Sequence, residues 1–343
     1  MREIDLSKYQ IRTDLVVDLI EKDYKFEKKF EYDFCSVSRI TLDEVASSTL
    51  NKKAGDYTTL HFKDITDSTN FNNVLKVLTS ELKVILKDTK ISKDSSCMII
   101  GLGNYRSTAD ELGVRVSEKV LVTKHIFELT GSLEKGYRIT TSFSPGVMGT
   151  TGIETSDIIS AVIKEVDPDF IIVIDALASD SIDRLLKTIQ ITNTGINPGS
   201  GIGNNRKEIS QDIYKVPVIA IGVPTVVDAT TIVSDTLNYM KKHFSYNIKN
   251  KDKVSDKLIP TFQINYLKNN NYTLSKEESS YFLGALGSLS KEEKKLLIND
   301  VLTPIGYNLI VTPKEIDFVV DKLTELISKA LDMALHNIST KNI

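Results

Sequence analysis

Asp110 lies one short loop beyond the apolar run Cys97-Met-Ile-Ile-Gly-Leu-Gly-Asn104, and Asp175 closes a second run, Phe170-Ile-Ile-Val-Ile174. Runs of four or five apolar residues bounded by turn signals read as buried strands of a parallel sheet, and open α/β sheets bind their ligands outside the carboxyl ends of such strands. Two carboxyl groups delivered to that edge can share one proton, which lets one act as base on a water while the other acts as acid toward an amide.

Other hydrolytic machinery has little support in the chain. His61, His125, His243 and His336 are dispersed, and none lies in a zinc-binding H-E-x-x-H pattern. There is no G-x-S-x-G elbow, and Cys97 opens an apolar strand where a thiolate would be costly. Gly101-Leu-Gly103 and Gly199-Ser-Gly-Ile-Gly203 look like phosphate cradles, but Arg106 replaces the third glycine of the first, and no Lys-Ser/Thr pair follows the second. Asp228 follows a strand in Val223-Pro-Thr-Val-Val-Asp228 and reads as a loop or helix-start residue.

Ser144-Pro-Gly-Val-Met-Gly-Thr-Thr-Gly-Ile-Glu-Thr-Ser-Asp157 joins a strand to a helix. Gly146, Gly149 and Gly152 let backbone N–H groups turn toward an oxyanion, with Thr150 and Thr151 at the sheet edge and Thr155 or Ser156 as cap. A tight strand-to-helix connection accounts for the same glycines and cap, so both readings stand.

The elements that must hold these residues follow from periodicity. Residues 1–95 mix β-like stretches, Phe30 to Ile40 and Tyr57 to Phe62, with an amphipathic helix from about Asn70 to Lys87. From about 96 to 243 buried strands (Cys97–Leu102, Ile139–Phe143, Phe170–Ile174, Thr188–Thr192, Val216–Ile221) alternate with helices, the signature of a doubly wound, mostly parallel α/β sheet. Residues 245–273 read as a solvated excursion, and about 275–338 as helical. Ser275 with Glu278, Ser290 with Glu293 and Thr312 with Glu315 match the capping box. A stripe from Ile316 through Val320, Leu323 and Ile327 to Leu335 fits core or subunit packing.

Composition limits the function classes. The chain has 343 residues, 41% of them hydrophobic, with a net charge of −3 and charges of both signs interspersed. That disfavours direct nucleic-acid binding. Two cysteines, no apolar N-terminal region and no run long enough to span a bilayer point to a cytosolic protein without a membrane partner.

On these residues the chain resembles the germination endopeptidases, the spore proteases of endospore-forming bacteria, which are placed among atypical aspartic peptidases. The matching stretches include Asp5-Leu-Ser-Lys-Tyr-Gln-Ile-Arg-Thr-Asp-Leu15, Gly101-Leu-Gly-Asn104, Pro145-Gly-Val-Met-Gly-Thr-Thr-Gly-Ile-Glu-Thr155, Ile174-Asp-Ala-Leu-Ala178, Pro198-Gly-Ser-Gly-Ile-Gly-Asn204, Ile221-Gly-Val-Pro-Thr-Val-Val-Asp-Ala229 and Val311-Thr-Pro-Lys-Glu315. The resemblance puts the family's proposed catalytic aspartates on Asp110 and Asp175. It implies an endopeptidase that begins degrading small acid-soluble spore proteins during germination, working in the spore core or forespore cytoplasm as a homotetramer without a cofactor. It also implies a core like that of the hydrogenase-maturation peptidases, with an N-terminal β-containing extension and C-terminal helices. A metal-dependent peptidase using the same carboxylates, or a non-catalytic binder of spore proteins, are the alternatives.

The resemblance further implies a zymogen: residues 1–14 as propeptide, 15–343 as a single peptidase domain, and autoprocessing between Asp14 and Leu15, where Arg12-Thr-Asp-Leu-Val16 resembles the family's cleavage segments. Leu15 to Ile20 can equally begin a packed element capped by Asp14. Four departures from the family pattern stand out: Ala109 in place of a proline, Glu111 in place of a small residue, Asp180 in place of a basic one, and Asn205 in place of a lysine. Arg206 and Lys207 remain in that last turn, which either binds acidic substrate side chains or is merely solvated. Extra negative charge from Glu111 and Asp180 is expected to hold a shared proton to higher pH.

Overall fold

The computed structural model describes residues 13–20, 25–199, 207–249, 275–302 and 309–336. Its strands are β1 (Glu27–Glu31), β2 (Cys35–Leu42), β3 (Gly55–Phe62), β4 (Cys97–Gly101), β5 (Thr140–Phe143), β6 (Phe170–Ser179), β7 (Thr188–Thr192), β8 (Val218–Asp228) and β9 (Ile310–Val311). Its helices are α1 (Glu44–Leu50), α2 (Ser68–Asp88), α3 (Leu112–Lys119), α4 (Lys124–Thr130), α5 (Met148–Thr151), α6 (Thr155–Val166), α7 (Gln211–Tyr214), α8 (Ala229–Lys249), α9 (Lys276–Leu283), α10 (Ala285–Ser288), α11 (Lys291–Leu302) and α12 (Ile316–Leu335).

The strands form one mixed sheet in the order β1-β2-β3-β7-β8-β6-β4-β5, with β9 added to the end of β8. β4 pairs in parallel with both β5 and β6, whereas β1–β2, β2–β3, β3–β7 and β7–β8 are antiparallel. This corrects the expectation of a mostly parallel sheet. The stretch read as one strand from Phe30 to Ile40 is a hairpin, and a link as short as residues 32–34 permits only antiparallel pairing. The N-terminal β stretches thus extend the sheet that the core strands begin.

The parallel strands are buried on both faces, as their unbroken apolar composition requires. Ile99, Ile100, Ile171, Val173 and Ile174 are fully covered, each contributing about 1.5–3 kcal/mol by leaving water. A second correction concerns β6. Asp175 does not close its strand, because Ala176-Leu177-Ala178 continues the apolar run and pairing persists to Ser179.

By contact the chain divides into two compact units. The larger draws on residues 12–179, 183–226 and 312–343, and in it α12 lays its buried stripe against α2 and α3. The smaller draws on residues 1–11, 180–182 and 227–311, and its described residues are mainly helical apart from the ends of β8 and β9. Within it the capping boxes of Ser275 with Glu278 and Ser290 with Glu293 form in both directions. The third expected box does not form: α12 starts one residue after Glu315, and Thr312 Oγ1 donates instead to the Thr225 carbonyl. The solvated excursion expected at 245–273 lies largely outside the described residues; its first part continues α8 to Lys249. Among the described residues no helix is long and apolar enough to cross a membrane.

Candidate active site

Strand β4 leaves the sheet through Leu102-Gly-Asn104, and this exit organises both aspartates. On one side the Leu102 N–H donates to the Ile174 carbonyl at 2.8 Å, which sets Asp175 directly beyond the paired register of β4 and β6. On the other the Asn104 N–H donates to the Asp110 carbonyl at 2.9 Å, folding the loop back so that Asp110 lies against Gly103. A Cβ on Gly103, whose φ is +119°, would meet the Asp110 carbonyl oxygen at 1.9 Å and Asp110 Oδ1 at 3.4 Å. Only glycine fits there, both for its left-handed backbone and for the closeness of the loop.

Asp110 ends a short 3-10 turn, Thr108–Asp110, and is half-buried. Its N–H donates to the Ser107 carbonyl at 2.8 Å, and the carbonyl before it, that of Ala109, accepts from Thr225 Oγ1 at 2.6 Å. Asp175 is buried, with Oδ1 accepting the Ala176 N–H at 2.9 Å. Helix α3 begins two residues after Asp110, so its unpaired N–H groups favour negative charge at this edge. Gly113, in its first turn, lets the helix approach so closely that a Cβ would stand 2.3 Å from the Leu102 carbonyl and 2.4 Å from that of Ile174.

The two extra carboxylates each have a cationic partner. Glu111 is buried but ion-paired with Arg115 at 2.9 Å, one turn along α3. In the smaller unit Asp180 is paired with the buried Lys295 and accepts from Thr231 Oγ1 at 3.0 Å. A cation thus stands beside each carboxylate.

In the loop after β5, Val147 precedes α5, and the N–H groups of Thr150 and Thr151 donate to its carbonyl at 2.9 and 3.1 Å. The Thr150 and Thr151 hydroxyls also donate to Val147, and Thr151 Oγ1 accepts the Ile153 N–H. Met148 and Gly149 occupy the first two positions of α5, whose N–H groups have no acceptor within a helix. Thr155 Oγ1 ties the start of α6 to the Gly146 carbonyl at 3.2 Å, and Glu154 stands at the cap position without a side-chain bond. Lys207 Nζ pairs with Asp157 of α6 at 2.8 Å, on the surface, while Arg206 lies outside the described residues. Asp228 ends β8 and accepts the Thr230 N–H at 2.7 Å, turning the chain into α8.

Asp14 and Leu15 lie beside β6. Asp14 donates its N–H to the Ala178 carbonyl and accepts the Ala178 N–H through Oδ2, both at 3.0 Å. The Asp14 carbonyl, the one preceding Leu15, accepts from Gln190 Nε2 at 3.3 Å and Lys52 Nζ at 3.4 Å. Leu15 and Val16 are fully buried, and Val16 donates to Gln190 Oε1 at 2.8 Å. Asp18 accepts from Thr13 Oγ1 and pairs with Arg184 at 2.5 Å.

Sequence reasoning passed over Lys52, Gln190 and Thr225. Thr225 had a signal: a hydroxyl inside an apolar strand must find an acceptor when buried. Cys97 sits where burial pushes its thiol far above the ordinary range, and Cys35 is pushed up to about 11 for the same reason, so both thiols stay protonated at neutral pH. Among the described residues no group of three or more His, Cys, Asp or Glu side chains converges as metal ligands would.

The germination protease family profile matches residues 17–343. The chain belongs to the germination protease family. It is 44% identical to the germination protease of Bacillus mycoides and 45% identical to that of Bacillus cytotoxicus, each alignment covering 97% of this chain and 96% of the relative. It is accordingly a peptidase, an endopeptidase of spore germination that acts on protein substrates.

Proposed function

We propose that this germination protease cleaves small acid-soluble spore proteins with Asp110 and Asp175 activating the attacking water. The observation that carries the reading is that both aspartates flank the same three residues, Leu102 to Asn104, at the carboxyl end of β4. One carboxylate takes a proton from water while the other, protonated, donates to the scissile carbonyl; the two titrate as a pair. Negative charge developing on the carbonyl oxygen is met by the loop at Gly149, Thr150 and Thr151, first by the Gly149 N–H, with the Thr150 and Thr151 donors joining only by leaving the Val147 carbonyl. Arg206 and Lys207 receive acidic substrate side chains, Lys207 exchanging Asp157 for the substrate carboxylate. The core is of the doubly wound, hydrogenase-maturation-peptidase kind, and the alignment of β4, β5 and β6 supports that likeness.

The same reading takes residues 1–14 as a propeptide lost by autoprocessing before Leu15, and the matured 15–343 as one peptidase domain that assembles as a homotetramer in the spore core or forespore cytoplasm. Asp14 bonded along β6, three residues beyond Asp175, supports it, since an extended peptide adds to a strand in this way.

The test is to incubate the protein with a small acid-soluble spore protein across pH, with and without chelator. Cleavage unaffected by chelator is the expected result. Activity lost to chelator and restored by one divalent ion would turn the same carboxylates into metal ligands, and absence of cleavage at every pH would leave a binding protein.

A further inference from the structure

Thr225 sits in β8 at 1% exposure, its Oγ1 donating to the Ala109 carbonyl at 2.6 Å. That carbonyl belongs to the peptide unit whose N–H is the backbone N–H of Asp110, and this N–H is itself held by the Ser107 carbonyl at 2.8 Å. A peptide unit is planar, so fixing its oxygen on one side and its N–H on the other fixes the orientation of the whole plane. The Asp110 carbonyl is then held by the Asn104 N–H at 2.9 Å. The carbonyl of Thr225 in turn accepts from Thr312 Oγ1 at 2.9 Å, which anchors the residue from its other end.

We infer that Thr225 is a positioning residue for cleavage: its hydroxyl sets the plane of the Ala109–Asp110 peptide and so the direction in which the Asp110 carboxyl leaves the loop. This rests on the reading of Asp110 as one of the water-activating pair. Ala109 gives the proposal its force in this chain. The resemblance leads to a proline at that position, whose ring would restrain the turn covalently, and alanine leaves that restraint to hydrogen bonds.

The bland alternative is a buried hydroxyl that merely satisfies itself, and the two differ in what the reaction feels. Thr225→Val keeps the shape and removes the donor, so kcat on a small acid-soluble spore protein falls by about tenfold to a hundredfold while KM stays within about twofold, as expected when a reacting group is misplaced without loss of substrate contacts. Thr225→Ser restores kcat because it restores the donor. If the valine variant does not fold, Thr225→Ser against Thr225→Cys, a poor donor of similar size, reads the same difference. Asp110→Asn is assayed in parallel on the full chain. Valine or cysteine variants with wild-type kcat beside an inactive Asp110→Asn would overturn the positioning role alone, as would a loss that serine fails to rescue. Asp110→Asn at wild-type turnover would overturn the reading on which the proposal rests.

Discussion

Two strand-to-helix connections of the larger unit both use glycine and differ in construction. The one from β4 to α3 carries Asp110 and is held from outside itself, by the Ile174 carbonyl at its start, Thr225 at Ala109, and the close approach of Gly113 to two strand carbonyls. The one from β5 to α6 carries Gly149, Thr150 and Thr151 and is held largely by itself, through Val147, Thr151 and the Thr155 bond to Gly146. Glycine means different things in the two. In the first, Gly103 and Gly113 are demanded by neighbouring backbone; in the second, a Cβ on Gly149 or Gly152 would meet nothing within 4 Å. A group that must be aimed to a fraction of an ångström belongs on the first kind of loop, and a segment that must adapt to a passing peptide belongs on the second.

The sharpest way to break this comparison is to add one methyl group to each loop. Gly113→Ala drives a Cβ into two backbone carbonyls that cannot yield without parting α3 from the sheet, so it should cost about 3 kcal/mol or more in urea unfolding and abolish cleavage. Gly149→Ala should shift unfolding by no more than about 0.5 kcal/mol. Equal losses in the two would mean that the second loop is also held from outside.

A smaller effect sharpens the same contrast. Thr151→Val removes the hydroxyl that accepts the Ile153 N–H and should cost about 0.5–1.5 kcal/mol. If the loop contacts substrate, KM rises by more than the stability change explains.

Another effect concerns the chain just past α3. Half-buried Asp332 accepts the Leu121 N–H at 2.9 Å, and burial pushes its carboxyl from 3.8 up to about 6. The folded state therefore binds this proton more tightly than the unfolded one, so the charge costs stability at neutral pH, a cost relieved as pH falls through about 6 toward 4. Asp332→Asn keeps the acceptor and removes the charge. It should raise stability by roughly 1 kcal/mol near neutral pH, allowing for partial solvent screening, with the gain shrinking in acid. Nearby His336, its Nδ1 accepting the Arg138 N–H and its pKa lowered by burial, acts in the opposite direction in both proteins, so its contribution largely cancels in the comparison. A gain that does not change with pH would remove burial as its cause.

Much of the candidate site was legible because it rests on local pattern. The apolar runs ending near Asp110 and Asp175 are strands, and the alternation around them is an α/β core. What escaped was non-local. Nothing in the run Phe170 to Ile174 says that pairing continues through Asp175 to Ser179, since that depends on which strand lies alongside. The antiparallel half of the sheet reads as a separate extension because pairing between β3 and β7 joins residues more than a hundred positions apart, a contact that periodicity cannot report. Thr312 looks like a helix cap and serves β8 instead, because a hydroxyl takes whichever acceptor the fold brings to it.

Everything proposed for cleavage rests on the pair. Asp110→Asn and Asp175→Asn, each checked for native unfolding behaviour, should both lose cleavage of a small acid-soluble spore protein by about a thousandfold or more, because two groups sharing one proton act as a unit and neither retains a partial function alone. Wild-type turnover in either variant would take that aspartate out of the mechanism and with it the claim that the exit of β4 is where the peptide bond is cut.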